Sequence, residues 1–233
     1  MGSAMSADVS DHLMSLDVPG TLVTFPGMSI VPTNADSLTL TGWLDFHAQK
    51  PGRDVVSDSF ELRIEVPLEL SCQIPLVMPL GSRIPRTFHR LEGGALCLGS
   101  PTRQLLILKE DPRLHSFIKR CVIPYLYAFV LHERNEPLPF GELSHGRRGI
   151  LEDFVEIYGV TTEDVAKELL RLNGRPRRNA NHQRCPCGSG KRLGKCHNQI
   201  VNKLRGSLGR MWFRDQHLSI SSGMRKDIEH LSW

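Results

Sequence analysis

Two alternating runs constrain this chain more than any other feature. Ser37–Ala48 (SLTLTGWLDFHA) places Leu38, Leu40, Gly42, Leu44 and Phe46 on one side, and Phe60–Val66 (FELRIEV) does the same with Phe60, Leu62, Ile64 and Val66. Successive strand side chains point to opposite faces, so each run reads as a strand with one buried face. Pro51-Gly52 between them is a turn signal, which makes the two runs antiparallel neighbours, and Pro67 ends the second. Pro75–Leu80 (PLVMPL) reads as a further strand with a proline at each end, and Thr21–Phe25 as a short β-type run closed by Pro26-Gly27. Residues 1–20 are polar and read as a frayed tail. Its first five residues, Met1-Gly2-Ser3-Ala4-Met5, look like an expression scar ahead of a native start at Met5.

Helical signals follow the strands. Gly81–Pro101 is loop-like, rich in glycine and proline, and Asp111-Pro112 resembles a helix start with proline in the first turn. Leu114–Leu131 is apolar and helical in pattern, with Pro124 expected to kink or split it. Ile150–Tyr158 reads as a helix, Thr161–Asp164 as the cap of another running through Leu172, and Leu204–Ile220 as an amphipathic helix. Strands first and helices afterwards indicate an α+β class with segregated elements: an antiparallel β-meander with flanking helices. A length of 233 residues suits one domain with a smaller appendage. The expected division is a main domain over 21–172, a basic linker over 173–182 and a small C-terminal module over 183–233.

Charge divides the chain in the same way. Residues 1–170 carry a net charge of −7 and residues 171–233 a net charge of +11. Between Arg171 and Arg214 there are twelve basic residues and no acidic one. Such a basic block suits an acidic partner, and nucleic acid is one candidate. The longest apolar run, Cys121–Leu131, falls short of the roughly 20 residues that span a bilayer, so no membrane partner is expected. The N-terminus lacks the basic start and apolar stretch of an export signal, which predicts a cytoplasmic location. Disulfides are rare in that reducing compartment, so clustered cysteines there read as metal ligands.

Cys185, Cys187, Cys196 and His197 form such a cluster within CPCGSGKRLGKCH. Three thiols and an imidazole supply the four ligands that tetrahedral Zn²⁺ requires in a closed structural site, which leaves no open position for a catalytic water. Gly188-Ser189-Gly190 permits a tight turn under the metal, and Arg184, Lys191, Arg192 and Lys195 favour thiolates. The thirteen residues resemble the SEC-C zinc motif, named for the C-terminus of the bacterial secretion ATPase. That resemblance implies zinc and a binding role, because such knuckles serve there as small adaptors that contact other proteins.

Among the remaining cysteines, Cys72 and Cys121 read as core residues. Cys97 lies in a glycine-flanked loop, GGALCLG, with Arg83, Arg86, His89 and Arg90 in the fourteen residues before it to favour thiolate. A lone cysteine of this kind is either a small buried hydrophobe or a nucleophile.

The order of elements around Cys97 resembles the ubiquitin-conjugating enzymes. That family has a four-stranded meander, a proline-rich approach, a His-Pro-Asn segment and a catalytic cysteine in a G-x-I-C-L setting, followed by a helix that begins near a proline. Here FELRIEVP, PLVMP, His89 eight residues before Cys97, and DPRLHSFI correspond, over roughly residues 38–131. RIPRTFHRLEGGALCLGSP and PFGELSHGRRGILEDF look closest to bacterial ubiquitin-conjugating-like proteins that end in a SEC-C knuckle. Those proteins resemble components of antiviral conjugation operons. The resemblance implies that Cys97 accepts a ubiquitin-like protein as a thioester from an activating enzyme and passes it to an amine on a target protein.

The chain departs from the family at two places. Arg90 and Leu91 follow His89 where the family has Pro-Asn, and the tryptophan usual after the cysteine is missing. Either another donor replaces the asparagine or the transfer step differs. His145 in PFGELSHG is a candidate, alongside the reading of an ordinary loop histidine. For His89, a structural role bonding backbone groups near the active loop is favoured over proton transfer. The rival to an enzyme is a non-catalytic scaffold whose zinc knuckle recruits protein or nucleic acid.

Overall fold

A computed structural model of the chain describes residues 14–31, 37–67, 73–138 and 146–222. The described contacts form two compact units, one up to residue 138 and the other from residue 146.

The first unit is α+β. Helix α1 (Val18–Thr24) leads into strands β1 (Met28–Val31), β2 (Ser37–Ala48), β3 (Val56–Pro67) and β4 (Leu76–Pro79). They form one antiparallel sheet in the order β1-β2-β3-β4. Leu40 pairs with Ile64 and Leu44 with Phe60, so the apolar positions of the two alternating runs share one face. That face is buried: Leu38, Leu40, Leu44, Phe46, Phe60, Leu62, Ile64 and Val66 all belong to the core.

Two expectations for the N-terminal part are corrected. Thr21–Phe25 is not a strand, because Thr21–Thr24 complete α1 and Phe25 is its C-cap. Asp17 caps this helix by accepting from the Gly20 amide at 3.1 Å, and Pro19 in the first turn costs no hydrogen bond there. Nor is the segment before Thr21 all tail. Leu16 and Val18 are core residues, and the Leu16 carbonyl accepts from the Leu114 amide at 2.8 Å. Two apolar side chains suffice to dock a segment of otherwise polar composition.

After the sheet and a long loop come α2 (Pro101–Glu110) and α3, a continuous helical stretch over Leu114–Glu133. The signal for α2 is Ser100-Pro101: the Ser100 side chain accepts from the Arg103 amide at 3.2 Å, and proline takes the first turn. Asp111 closes α2 rather than opening the next helix, which begins at Leu114. Pro124 does not split α3. One π turn, Ile118–Val122, precedes it and places Pro124 in the first turn of the following α segment (Ile123–Glu133), where it needs no amide partner. By length and composition α3 is apolar enough to cross a membrane, and it exceeds the run expected from sequence. Its apolarity serves the interior of the first unit: Leu114, Phe117, Ile118, Val122, Leu126, Phe129 and Val130 are all buried core residues. Phe129 meets Phe60 of β3 edge-on at 5.8 Å.

The second unit holds α4 (Gly146–Tyr158), α5 (Glu163–Asn173), α6 (Arg177–Asn181) and α7 (Asn198–Ser221), the last broken at Gly209. Thr162 caps α5, accepting from Val165 at 3.4 Å. Helices α4 and α5 were expected to belong with the sheet, in a domain ending at 172. They pack instead against each other and against α7. Phe154, Tyr158, Leu169, Leu170, Leu204, Leu208, Trp212 and Phe213 are buried in this unit. Polar contacts close it: Asn173 donates to the Tyr158 hydroxyl at 3.1 Å, and Arg205 reaches the Leu172 and Asn173 carbonyls at the end of α5. The expected linker, 173–182, contains α6 and the closely packed Gly174.

Candidate metal centre and the Cys97 loop

The metal-ligand candidates come together as spacing and residue type imply. A short hairpin carries the first two cysteines. Arg184 pairs with Arg192, the Cys185 amide donates to the Lys191 carbonyl at 2.8 Å, and the Leu193 amide donates to Gln183 at 2.8 Å. Gly188 (φ 79°) and Gly190 (φ 71°) make the reversal between them. A 3₁₀ turn, Leu193–Lys195, then delivers Cys196, and His197 stands at the start of α7.

The four donor atoms lie within 4.8 Å of one another. Cys187 Sγ is 3.5 Å from Cys196 Sγ, and His197 Nδ1 is 3.2 Å from Cys185 Sγ and 3.3 Å from Cys196 Sγ. A tetrahedron with metal–sulfur bonds of about 2.3 Å has edges of roughly 3.8 Å, so the donor set is already near the size needed to close on an ion. Nδ1 is the imidazole atom that faces the sulfurs. Burial raises the Cys185 thiol, whereas hydrogen bonding from Ser189 holds Cys187 below the usual thiol range. Three sulfurs and one nitrogen complete a four-coordinate shell.

Residues 183–199 match the SEC-C motif. Comparison with curated proteins and with solved structures found no match. The match and the Cys185, Cys187, Cys196, His197 cluster together point to a metal site whose four donor atoms are already gathered. The SEC-C segment lies wholly within the second unit, between α6 and the start of α7.

Cys97 occupies a loop pinned from several sides. Its amide donates to the His89 carbonyl at 2.8 Å, and the neighbouring Leu96 amide donates to Val77 of β4, also at 2.8 Å. Arg90 and Leu96 form an isolated antiparallel bridge. The Arg90 guanidinium donates to the carbonyls of Gly94 (2.8 Å) and Ile84 (3.1 Å). Phe88 is a core residue, packed edge-on against Tyr125 and Phe129, and its carbonyl accepts from the buried Tyr125 hydroxyl at 2.8 Å. Beyond Cys97, Gln104 of α2 donates to the Gly99 carbonyl at 3.0 Å.

Cys97 is half-buried, whereas Cys121 lies in the core as expected. The surrounding arginines do not act on Cys97 as composition implied. Arg83 is bidentate to Asp58 (2.9 and 2.7 Å), contacts Glu133 (2.8 Å) and lies 4.3 Å above the Phe60 ring. Its charge is thus met by two carboxylates, and Asp58 is held below the usual carboxylate range by it. Arg90 serves backbone carbonyls. Burial therefore dominates at Cys97 and raises its thiol, opposed only by a backbone hydrogen bond at Gly99. The described link between His89 and Cys97 runs through backbone, with the His89 ring edge-on to Phe88 at 5.0 Å. His145 and Cys72 lie outside the described residues. Sequence reasoning missed Tyr125, Arg90 and Arg83 as supports of the loop. Tyr125 hides in an apolar helix, and its one signal is a hydroxyl that must find a partner when buried.

Proposed function

We propose that the chain is a thioester carrier of the ubiquitin-conjugating type, with Cys97 as nucleophile and a zinc knuckle at its C-terminus. The observation that carries this reading is the setting of Cys97. It is half-buried, on a loop tied to β4 on one side and to α2 and α3 on the other, directly after a four-stranded antiparallel meander. A four-stranded meander, the cysteine loop and a helix that opens on Pro101 follow one another, which is the order of elements on which the resemblance rests.

In the first step the Cys97 thiolate attacks the carbonyl carbon of a thioester joining a ubiquitin-like C-terminus to an activating enzyme. A new carbon–sulfur bond forms, the old one breaks, and the activating enzyme's sulfur leaves as thiolate. In the second step a target amine attacks the same carbon, Cys97 departs as thiolate, and the amine nitrogen releases a proton to water. A raised thiol pKa suits a carrier. The thiolate fraction is small, but each thiolate is more nucleophilic and is a poorer leaving group, which protects the adduct from stray attack. Backbone amides of the loop are the candidate donors for the oxyanion of the second step. The four-ligand knuckle fits Zn²⁺, since thiolates and imidazole are its usual structural ligands.

The test is intact mass after incubation with ATP, a cognate activating enzyme and its ubiquitin-like protein. A mass gain on wild type, removed by an added thiol through thioester exchange but not by a phosphine, and missing from a folded Cys97→Ala protein, is the expected result. No adduct, from an activating enzyme shown to be charged, sinks the carrier reading and leaves the binding scaffold.

A further inference from the structure

The SEC-C segment carries positive charge that its own fold leaves uncompensated. Nine cations between Arg175 and Arg210 are exposed, and none of them forms an ion pair among the described residues. The stretch from Arg175 to Arg214 contains no Asp or Glu. Two cations outside the group of nine have local roles: Arg171 is held by Glu168, and Arg205 serves the end of α5. A divalent ion bound by three thiolates and a neutral imidazole has a net charge of about −1, far too little to account for nine cations.

The placement of these charges is unfavourable for folding. Arg184 and Arg192 are direct partners across the hairpin, so their side chains leave the same face about 5 Å apart at Cβ. Like charges so placed are destabilising unless an anion lies between them. Gly194 of the 3₁₀ turn abuts Asn181 of α6, at 3.1 Å from where a Cβ would stand to the Asn181 carbonyl. This contact brings Arg177 and Arg178 on α6 and Lys195 on the turn into one small module with the hairpin. Arg177 and Arg210 also lie near enough to Arg205 to depress its pKa, after burial.

The same segment, residues 175–210, has no exposed large apolar side chain to anchor a protein partner. Protein interfaces centre on buried apolar or aromatic anchors. Among the described residues the exposed large hydrophobic side chains all lie outside 175–210, and the nearest is Met211. Peripheral membrane binding likewise draws on an inserted apolar face. A hydrophilic surface with arginines in excess fits a phosphodiester backbone, whose oxygens the guanidinium fork meets two at a time.

We propose that the metal knuckle binds nucleic acid through its phosphates, with the Arg184–Arg192 pair at the centre of the surface and without base readout. This inference is independent of the carrier reading and of Cys97.

The experiment uses the full chain loaded with metal. Fluorescence anisotropy is measured on a labelled single-stranded RNA of about 30 nucleotides, and in parallel on duplex DNA of equal length. Saturable binding at low salt is expected, falling steeply as salt rises and equal for scrambled sequences. Arg184→Gln with Arg192→Gln should weaken it about tenfold and reduce the log–log salt slope by about 1.4 on the single strand. Both side chains are exposed, so circular dichroism and bound metal should match wild type. The relative strength of the two arms then tells a single strand from a duplex as the preferred form. No saturable binding overturns the proposal, as does binding unmoved in the double variant. Equal or tighter binding to polyglutamate, or to vesicles containing phosphatidylserine, overturns it in favour of an acidic protein or a membrane surface.

Discussion

Cys97 hangs from His89: its amide donates to the His89 carbonyl at 2.8 Å, while His89 itself stands at φ 40° in the left-handed region. A non-glycine residue held there costs roughly 1–2 kcal/mol. The loop sustains it with the Tyr125 bond to Phe88 and the two arginine anchors. The strain thus falls on the residue that aims the cysteine.

Substituting His89 separates its backbone from its ring. His89→Val puts a β-branched residue at positive φ and should destabilise the protein by about 1–2 kcal/mol. His89→Gly should cost less and leave Cys97 equally accessible. Thermal unfolding and the rate of Cys97 alkylation measure both effects. A His89→Gly protein with unchanged adduct formation would assign His89 a purely structural role.

Alkylation of Cys97 should rise late with pH. Burial favours the neutral thiol, so the folded pKa lies above that of a free cysteine. At neutral pH Cys97 should react with iodoacetamide more slowly than an exposed thiol, with its midpoint displaced to higher pH. The sign for stability follows. Burial of the neutral thiol stabilises fully below the ordinary thiol range, and that contribution fades as pH climbs through the raised value. A midpoint at or below that of a free thiol, by mass spectrometry of the Cys97 peptide, contradicts this account.

Metal removal should act on the second unit. The ligands join the hairpin after α6 to the first residue before α7, so chelation frees both. Structural zinc in small modules supplies about 10–16 kcal/mol of apparent binding energy, which is folding energy. A strong chelator should lower the thermal midpoint and expose three further thiols to a colorimetric reagent, and Cys185→Ser should do likewise. One metal ion per chain by elemental analysis is the matching stoichiometry. A midpoint indifferent to chelation argues against a structural metal.

Gly174→Ala should open the second unit. A Cβ there would lie 2.7 Å from the Arg214 Cα and 2.9 Å from its amide nitrogen, both backbone atoms of α7. Rigid backbone cannot yield as a flexible side chain does, so α5 and α7 must separate. Overpacking of this kind costs about 1–3 kcal/mol. Denaturant unfolding followed by Trp212 fluorescence reports it, and a neutral result would mean the helix crossing is loose.

Local order along the chain was legible where one residue period or one ligand set decides the outcome. Alternation in Ser37–Ala48 and Phe60–Val66 specified two strands and their buried face, since a shift of one residue would turn every apolar side chain outward. Thr162 announced α5 because its hydroxyl can satisfy an amide that the helix cannot. Four soft ligands in thirteen residues announced the metal knuckle, because local chain reach alone can bring them together. What needed the tertiary structure was every choice between partners distant in sequence. Helices α4 and α5 belong with α7, because the fit of their apolar faces lies in no single segment. Pro124 is absorbed by a π turn, because the core holds α3 on both sides of it. The environment of Cys97 was likewise hidden. Nearby arginines imply a thiolate-favouring field only until Asp58, Glu133 and the carbonyls of Ile84 and Gly94 claim them. Charge counts along a sequence are sums over neighbours in the chain, whereas the field at a sulfur is set by neighbours in space and by the water that burial excludes.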